Sequence, residues 1–325
     1  MMRVNHLGAE WMEKGTARCA PTTVSASVIE MSMKLALWLL LLSVGGLALA
    51  LLVGHISPSG AQIAFDSERS GDYDIYLLDA DRRLNVNLSR HVLDDYYAAW
   101  SPDGERLAFS SRRDYGSNAE IYVMNHEGGG LRRITNNRFN DVWPVWSPDG
   151  SEVAYMSYRD GLWDIFVSEV ANGAEHRFTL HNGLYWIAEW SGSEQVTLVS
   201  NRQGNSDIYV MGMTDSRIVQ LTEPFSDEVQ PSWSPDGAQM VFASNRNGLF
   251  SLYVMNADGS EEHGLFSESH NEMFPSWSPD GQHIAYSTAR DGNLEIYILD
   301  LATDQQQRLT FDSGYDMRPV WRPMN

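Results

Sequence analysis

The chain contains very little cysteine and lysine. Its 325 residues include a single cysteine, Cys19, and only two lysines, Lys14 and Lys34. Residues 55–325 therefore have no cysteine, which excludes a disulfide framework, a cysteine-based zinc cluster and a cysteine nucleophile from that part of the chain. Packing alone must stabilise it.

The charge of the main part of the chain is strongly negative. Of 23 basic and 43 acidic residues in the whole chain, four and three respectively precede residue 55, which leaves 19 arginines and 40 acids after it. Such a surface repels phosphate backbones, so we expect no nucleic-acid partner. It favours solubility, and it would also suit a cationic partner or a divalent cation.

One long hydrophobic segment lies near the N-terminus. Residues 35–54 carry no charge, and at about 1.5 Å per residue a helix of this length spans roughly 30 Å, the thickness of a bilayer core. Lys34 precedes the segment and the next cation is Arg69, so the positive-inside rule places the following residues outside the cytoplasm. The segment is either a transmembrane signal anchor or a signal peptide cleaved after Ala50. We expect a short N-terminal tail at 1–34, this segment at 35–54 and an exported domain at 55–325.

A tryptophan recurs through the exported domain. Its copies are 43 to 46 residues apart, at Trp100, Trp146, Trp190, Trp233, Trp277 and Trp321. Ser-Pro-Asp-Gly follows four of them directly, beginning at Ser101, Ser147, Ser234 and Ser278. Proline at the second place and glycine at the fourth are typical of a tight reverse turn.

Each repeat has the pattern of four short strands. An alternating apolar segment follows the turn, as in residues 106–109, and a second strand reads Asp/Glu-Ile-Tyr, as in 120–122. A shorter third strand ends in a pair such as Leu309-Thr310, and an inner strand then leads to the next tryptophan. Repeats of 40–45 residues with four strands are typical of propeller blades. We predict an all-β, six-bladed β-propeller of four-stranded blades, closed by the C-terminal strand 315–321, which completes blade one.

The quoted motifs resemble the TolB family of propellers, whose repeats also occur in the N-terminal parts of some exported peptidases. The resemblance covers residues 56–322 and rests on Trp-Ser-Pro-Asp-Gly, Ser-x-Arg-Asp-Gly, Asp/Glu-Ile-Tyr and Leu-Thr. TolB itself carries an α/β domain before its propeller, through which it works with the Tol machinery. In this chain the predicted transmembrane helix occupies that place.

An arginine recurs in all six hairpins between the alternating apolar segment and the Asp/Glu-Ile-Tyr strand, and an acid begins five of the six inner strands. Because both lie at the same end of a blade, we expect ion pairs between them within each blade. The arginines are Arg69, Arg113, Arg159, Arg202, Arg246 and Arg290, and the acids are Asp95, Asp141, Glu228, Glu272 and Asp316.

Blade four departs most from the repeat, with a degenerate turn after Trp190 and Tyr185 in place of the acid. We therefore predict the binding face there and at its neighbour, with Tyr185, Trp186, Arg202 and Arg246 as candidate residues.

Three histidines precede inner strands of alternate blades: His91, His181 and His270. Three imidazoles could hold a divalent cation, and some related propellers that cleave pectin fragments by elimination use a metal held in such a place. Solvent-exposed histidines with no ligand role are the commoner case, so we expect no cofactor apart from such a possible cation. The chain has no Gly-x-Ser-x-Gly motif, which excludes the hydrolase domain that often follows these propellers.

The sequence favours a binding function over an enzymatic one. We expect a membrane-tethered, extracytoplasmic scaffold that binds a protein, a peptide or an envelope polymer on the face made by the arginine hairpins. A metal-dependent, oligogalacturonate-type lyase that uses the three histidines is one alternative. A propeller partner of a separate peptidase is another.

Overall fold

A computed structural model describes residues 60–324, except 81–82, 115–117, 180–184, 192–194, 214, 216, 224 and 267–269. The predicted tail and hydrophobic helix lie outside the described residues. In the part of the chain that is described, no helix has the length and apolar character needed to cross a membrane.

The described residues form twenty-four strands, four to a blade. In chain order they are β1 (Gln62–Ser67), β2 (Asp74–Asp79), β3 (Leu84–Asn87), β4 (Asp95–Trp100), β5 (Arg106–Ser111), β6 (Glu120–Asn125), β7 (Arg132–Arg133), β8 (Asn140–Trp146), β9 (Glu152–Arg159), β10 (Leu162–Glu169), β11 (Glu175–Arg177), β12 (Tyr185–Ser191), β13 (Gln195–Ser200), β14 (Asp207–Gly212), β15 (Ile218–Gln220), β16 (Glu228–Trp233), β17 (Gln239–Asn247), β18 (Leu249–Asn256), β19 (His263–Gly264), β20 (Glu272–Trp277), β21 (His283–Thr288), β22 (Glu295–Asp300), β23 (Gln306–Arg308) and β24 (Asp316–Trp321).

The strands form six antiparallel sheets, which confirms the predicted propeller. Blades two to six each take four consecutive strands, from β4–β7 to β20–β23, whereas blade one has the order β24-β1-β2-β3. Ile63 pairs with Trp321 and Ser67 with Asp316, so the C-terminal strand completes blade one as predicted. Each inner strand also contacts the inner strand of the next blade, and β24 contacts β4, so the ring is closed.

The Ser-Pro-Asp-Gly turn is held by its own side chains. Ser101 Oγ donates to Asp103 Oδ1 at 2.5 Å and accepts the N–H of Arg106 at 2.9 Å. Gly104 has a φ of 66°, a left-handed conformation that favours glycine, and its N–H donates to the Ser101 carbonyl. The serine contacts recur at Ser147, Ser234 and Ser278.

Hydrogen bonds join the Asp/Glu-Ile-Tyr motif to the Leu-Thr motif of the same blade. Thr310 Oγ1 accepts the N–H of Ile296 at 2.9 Å and donates to Glu295 Oε2 at 2.6 Å. The hydroxyl therefore satisfies a buried backbone donor and a buried carboxylate together. Blade five has Ser251 in place of the acid and Phe266 in place of the threonine, so it lacks both partners of this bridge.

Apolar cores lie between neighbouring blades. Four of the repeated tryptophans are at least nine-tenths buried, which confirms them as core residues, and Trp190 and Trp233 are half-buried. Trp146 Nε1 donates to the carbonyl of Ala99 at 3.0 Å, and Trp321 Nε1 to that of Ser276 at 3.1 Å. Each of these contacts joins one blade to the preceding blade.

Candidate functional site at the propeller axis

Every inner strand has a bulge at or next to the residue three places before its tryptophan. In β4, for example, the register shifts between Tyr96 and Ala99, and β8, β16, β20 and β24 shift at the same place. In β12 the shift lies one residue later, between Ile187 and Glu189, so that Ile187, three residues before Trp190, still pairs with Leu198. We call the six residues at this position the axial ring. They are Tyr97, Trp143, Ile187, Gln230, Phe274 and Arg318.

Five axial-ring residues have a left-handed backbone, although none is a glycine. Their φ values lie between 53° and 60° at Tyr97, Trp143, Gln230, Phe274 and Arg318. A bulky L-residue in this region costs about 1–2 kcal/mol. Such local strain is found preferentially at functional sites.

The side chains of the axial ring contact one another across four successive blades. The guanidinium carbon of Arg318 lies 5.1 Å from the ring centroid of Phe274 and 4.3 Å from that of Tyr97. Tyr97 in turn stacks on Trp143, with centroids 4.6 Å apart and planes at 30°. Trp143 is 39% exposed, an unusual state for tryptophan. The axis thus presents a partly solvent-exposed aromatic surface with a cation beside it.

Arg318 is held in place by a buried acid. Its NH1 lies 2.8 Å from Asp66 Oδ2, and Asp66 also accepts the backbone N–H of Tyr97 at 3.0 Å. Burial raises the pKa of Asp66 and the charge of Arg318 opposes that rise. The ion pair is close, and its acid is fully buried. The contact fixes Arg318 across the junction where the propeller closes.

The hairpin arginines form most of the predicted ion pairs. The N–O distances are 2.6 Å for Arg69–Asp316, 2.7 Å for Arg113–Asp95, 3.2 Å for Arg246–Glu228 and 3.3 Å for Arg290–Glu272. The four acids are fully buried. These pairs are part of the structure of each blade and leave no ring of unpaired cations at the channel mouth.

The predicted pairing of Arg159 with Asp141 is wrong. Arg159 instead binds Glu175 on the outer strand β11 at 2.8 and 3.0 Å, and its guanidinium lies 3.6 Å from the ring centroid of Phe166. Glu175 accepts hydrogen bonds from Arg159 with both carboxylate oxygens. Asp141 cannot do so, because Ser157 and Asn137 already donate to its two oxygens at 2.5 and 2.7 Å. Burial raises the pKa of Asp141 to about 6.

The four predicted binding residues near blade four have partners inside the propeller. Tyr185 is buried and its hydroxyl accepts a hydrogen bond from Arg202 NH1 at 2.7 Å. Arg246 binds Glu228 and Glu262, and Trp186 packs partly buried against the cores on both sides of its blade. Their role in binding stays a prediction.

The predicted metal ligands are placed only in part. His181 lies outside the described residues. His91 Nδ1 accepts the N–H of Leu93 at 3.2 Å, and the backbone N–H of His270 donates to Glu272. His91 and His270 precede the inner strands of blades two and six, with blade one between them. Among the described residues no three His, Cys, Asp or Glu side chains form a metal-binding group.

Sequence reasoning missed the axial ring. A signal was present, because the residue three places before each tryptophan varies while its neighbours repeat, and proline follows it in four blades, at Pro144, Pro231, Pro275 and Pro319. Proline lacks a backbone donor and is favoured at such bulges.

Fold and site together define a closed six-bladed propeller with an aromatic channel mouth. The sequence matches the family model of the TolB beta propeller domain at residues 98–196 and 192–273. The chain therefore belongs to the TolB β-propeller family.

Solved structures share this fold. TolB from Acinetobacter baumannii is 22% identical, with 84% of this chain and 69% of that chain covered and a TM-score of 0.72. A putative TolB from Agrobacterium tumefaciens is 19% identical, with coverage of 80% and 92% and a TM-score of 0.65. An oligogalacturonate lyase in complex with manganese is 13% identical, with coverage of 77% and 73% and a TM-score of 0.55. At these identities the likeness shows the architecture alone.

Proposed function

We propose that this protein is an extracytoplasmic binding scaffold whose axial ring takes up a segment of a protein or peptide partner. The observation that carries the proposal is the set of bulky side chains on strained backbone at the axis, which includes Tyr97, Trp143 and Phe274. Half-exposed aromatic residues beside an arginine are the composition of binding hot spots.

The contacts within the ring also suit an extended segment. Arg318, Tyr97 and Trp143 hold one another in place, so a partner would meet a surface that needs little ordering on binding. A peptide side chain or a sugar ring could stack on the open side of Trp143. We favour a peptide because the neighbouring Gln230 and Arg318 offer polar groups suited to backbone carbonyls.

Peptide selection tests this function directly. A random dodecapeptide phage library would be selected on the immobilised full-length protein, and the affinities of the selected peptides measured by fluorescence anisotropy. Trp143→Ala should weaken binding at least tenfold, as loss of a central aromatic anchor does. Tyr158→Ala is the matched control, because Tyr158 is 45% exposed on a hairpin of blade three. Equal effects of the two substitutions would contradict the assignment of the site.

The tether and the location form a separate part of the proposal. Residues 35–54 would anchor the protein in a membrane with the propeller outside the cytoplasm. A C-terminal alkaline phosphatase fusion, which is active only after export, should be active and should sediment with membranes. An inactive fusion would refute export, and a fully soluble active one would point to cleavage of the segment.

A further inference from the structure

Glu189 occupies an unusual place in the wall of the axial channel. It lies on β12, the inner strand of blade four, directly before Trp190. Every residue at this position is partly exposed because the free edges of the inner strands border the axis. The other five blades carry an uncharged residue here: Ala99, Val145, Ser232, Ser276 and Val320.

The carboxylate of Glu189 has no cation beside it. Its Oε2 accepts the backbone N–H of Trp233 at 2.9 Å, and no lysine, arginine or histidine among the described residues forms an ion pair with it. Burial raises the pKa of Glu189 to about 7, which is consistent with a carboxyl group that lacks a cationic partner. The acids that begin the inner strands differ, since four of the five bind an arginine.

We propose that Glu189 binds a positively charged group of the ligand, namely a lysine or arginine side chain or a free amino terminus. This inference rests on the proposed function of the axial ring. Glu189 lies two residues along β12 from Ile187, beyond the bulge and therefore at most about 7 Å deeper at the rise of a regular strand. A lysine or arginine side chain of a segment held at the axial ring would reach that depth.

The charge of the whole domain supports a cationic ligand. The 40 acids and 19 arginines after residue 54 create a negative field, which would draw a basic segment to the channel and raise its association rate. A carboxylate without a cation is unfavourable at this partly buried position, so a ligand cation would relieve that penalty on binding.

The test compares wild type with Glu189→Gln, which keeps the size of the side chain and its acceptor for the Trp233 N–H. The random dodecapeptide library is selected separately on the two full-length proteins, and the lysine and arginine content of each selected pool is counted. Wild type should enrich for these residues, whereas Glu189→Gln should not. Glu152→Gln, which changes the half-buried acid at the start of β9, should behave as wild type.

A selected peptide is then resynthesised with its lysine replaced by norleucine. The replacement should weaken binding to wild type at least tenfold, as loss of one partner of a buried charge pair does, and should leave binding to Glu189→Gln unchanged. Peptides that depend on Trp143 but show the same lysine preference on both proteins, or none, would overturn the role of Glu189 alone. Failure to select any peptide that depends on Trp143 would overturn both proposals.

Discussion

Asp141 offers a direct measure of what a buried, unpaired carboxylate does to this fold. Its pKa is about 6 in the folded protein, against an ordinary value of 3.8, because burial disfavours the charged form. The folded state therefore binds more protons than the unfolded state between these two values, so stability falls as the pH rises through that window. Above it the full penalty is present, at most about 3 kcal/mol for roughly two units of pKa shift.

Asp141→Asn should remove this penalty and keep the local contacts. The new amide oxygen can accept from Asn137, and its NH₂ can donate to the Ser157 hydroxyl, which can serve as acceptor. Allowing for imperfect rearrangement, we expect a gain of about 1–2 kcal/mol at pH 7.5, which is roughly 2–6 °C in the melting temperature of a domain this size.

The measurement is urea unfolding of wild type and variant at pH 7.5 and pH 5. The advantage of Asp141→Asn should shrink at pH 5, where wild-type Asp141 is largely protonated. Asp316→Asn is the matched control, because Asp316 begins another inner strand but lies 2.6 Å from Arg69. It should lose about 3 kcal/mol by leaving that arginine unpaired. The reasoning fails if Asp141→Asn destabilises the protein at pH 7.5 or if its advantage does not depend on pH.

Two further predictions concern the repeat itself. Thr310→Val should destabilise the protein by about 2–3 kcal/mol in urea unfolding, because it leaves the Ile296 N–H and the neighbouring carboxylate without the bridging hydroxyl; an effect below about 0.5 kcal/mol would show that water replaces it. Gly259→Ala should cost clearly more than Gly248→Ala, since both have positive φ but a Cβ at Gly259 would lie 2.7 Å from the Leu221 carbonyl, whereas none lies within 4 Å at Gly248. Similar melting temperatures for the two glycine variants would contradict the proposed close approach of neighbouring blades.

The architecture could be predicted from the sequence because the blades have the same neighbours. A residue that meets the same surroundings six times, such as the tryptophan that joins blade to blade, recurs at a fixed spacing and reveals the period. The closing strand followed from the strand count, and β24 pairs with β1 as expected. Most Arg–acid pairs followed from the alternation of strand direction.

The sequence did not reveal contacts for which one side chain has two possible partners. Arg159 could meet Asp141 or Glu175. It binds Glu175 because other donors already occupy Asp141 and because the Phe166 ring and the Tyr155 hydroxyl, which donates to Glu175 Oε2 at 2.7 Å, lie beside that pair. The axial ring was hidden because a bulge shifts the register by one residue. Strict alternation, applied to the inner strands, does not show which side chain faces the axis.

The six blades act as an internal comparison that separates structure from function. Where a position has the same surroundings in all blades, packing favours one residue there. A blade that lacks this residue also lacks its partner, as blade five does with Ser251 and Phe266. The axial ring and the position of Glu189 behave differently, since the six blades hold six kinds of side chain in the axial ring and four kinds at the position of Glu189, although every inner strand has a bulge. Contacts between blades account for part of that variety, since Gln230 Oε1 accepts the N–H of Phe274 and Glu189 Oε2 accepts that of Trp233. A shared ligand that contacts all six blades at once from the axis would require such differences, since an asymmetric ligand presents a different group to each blade.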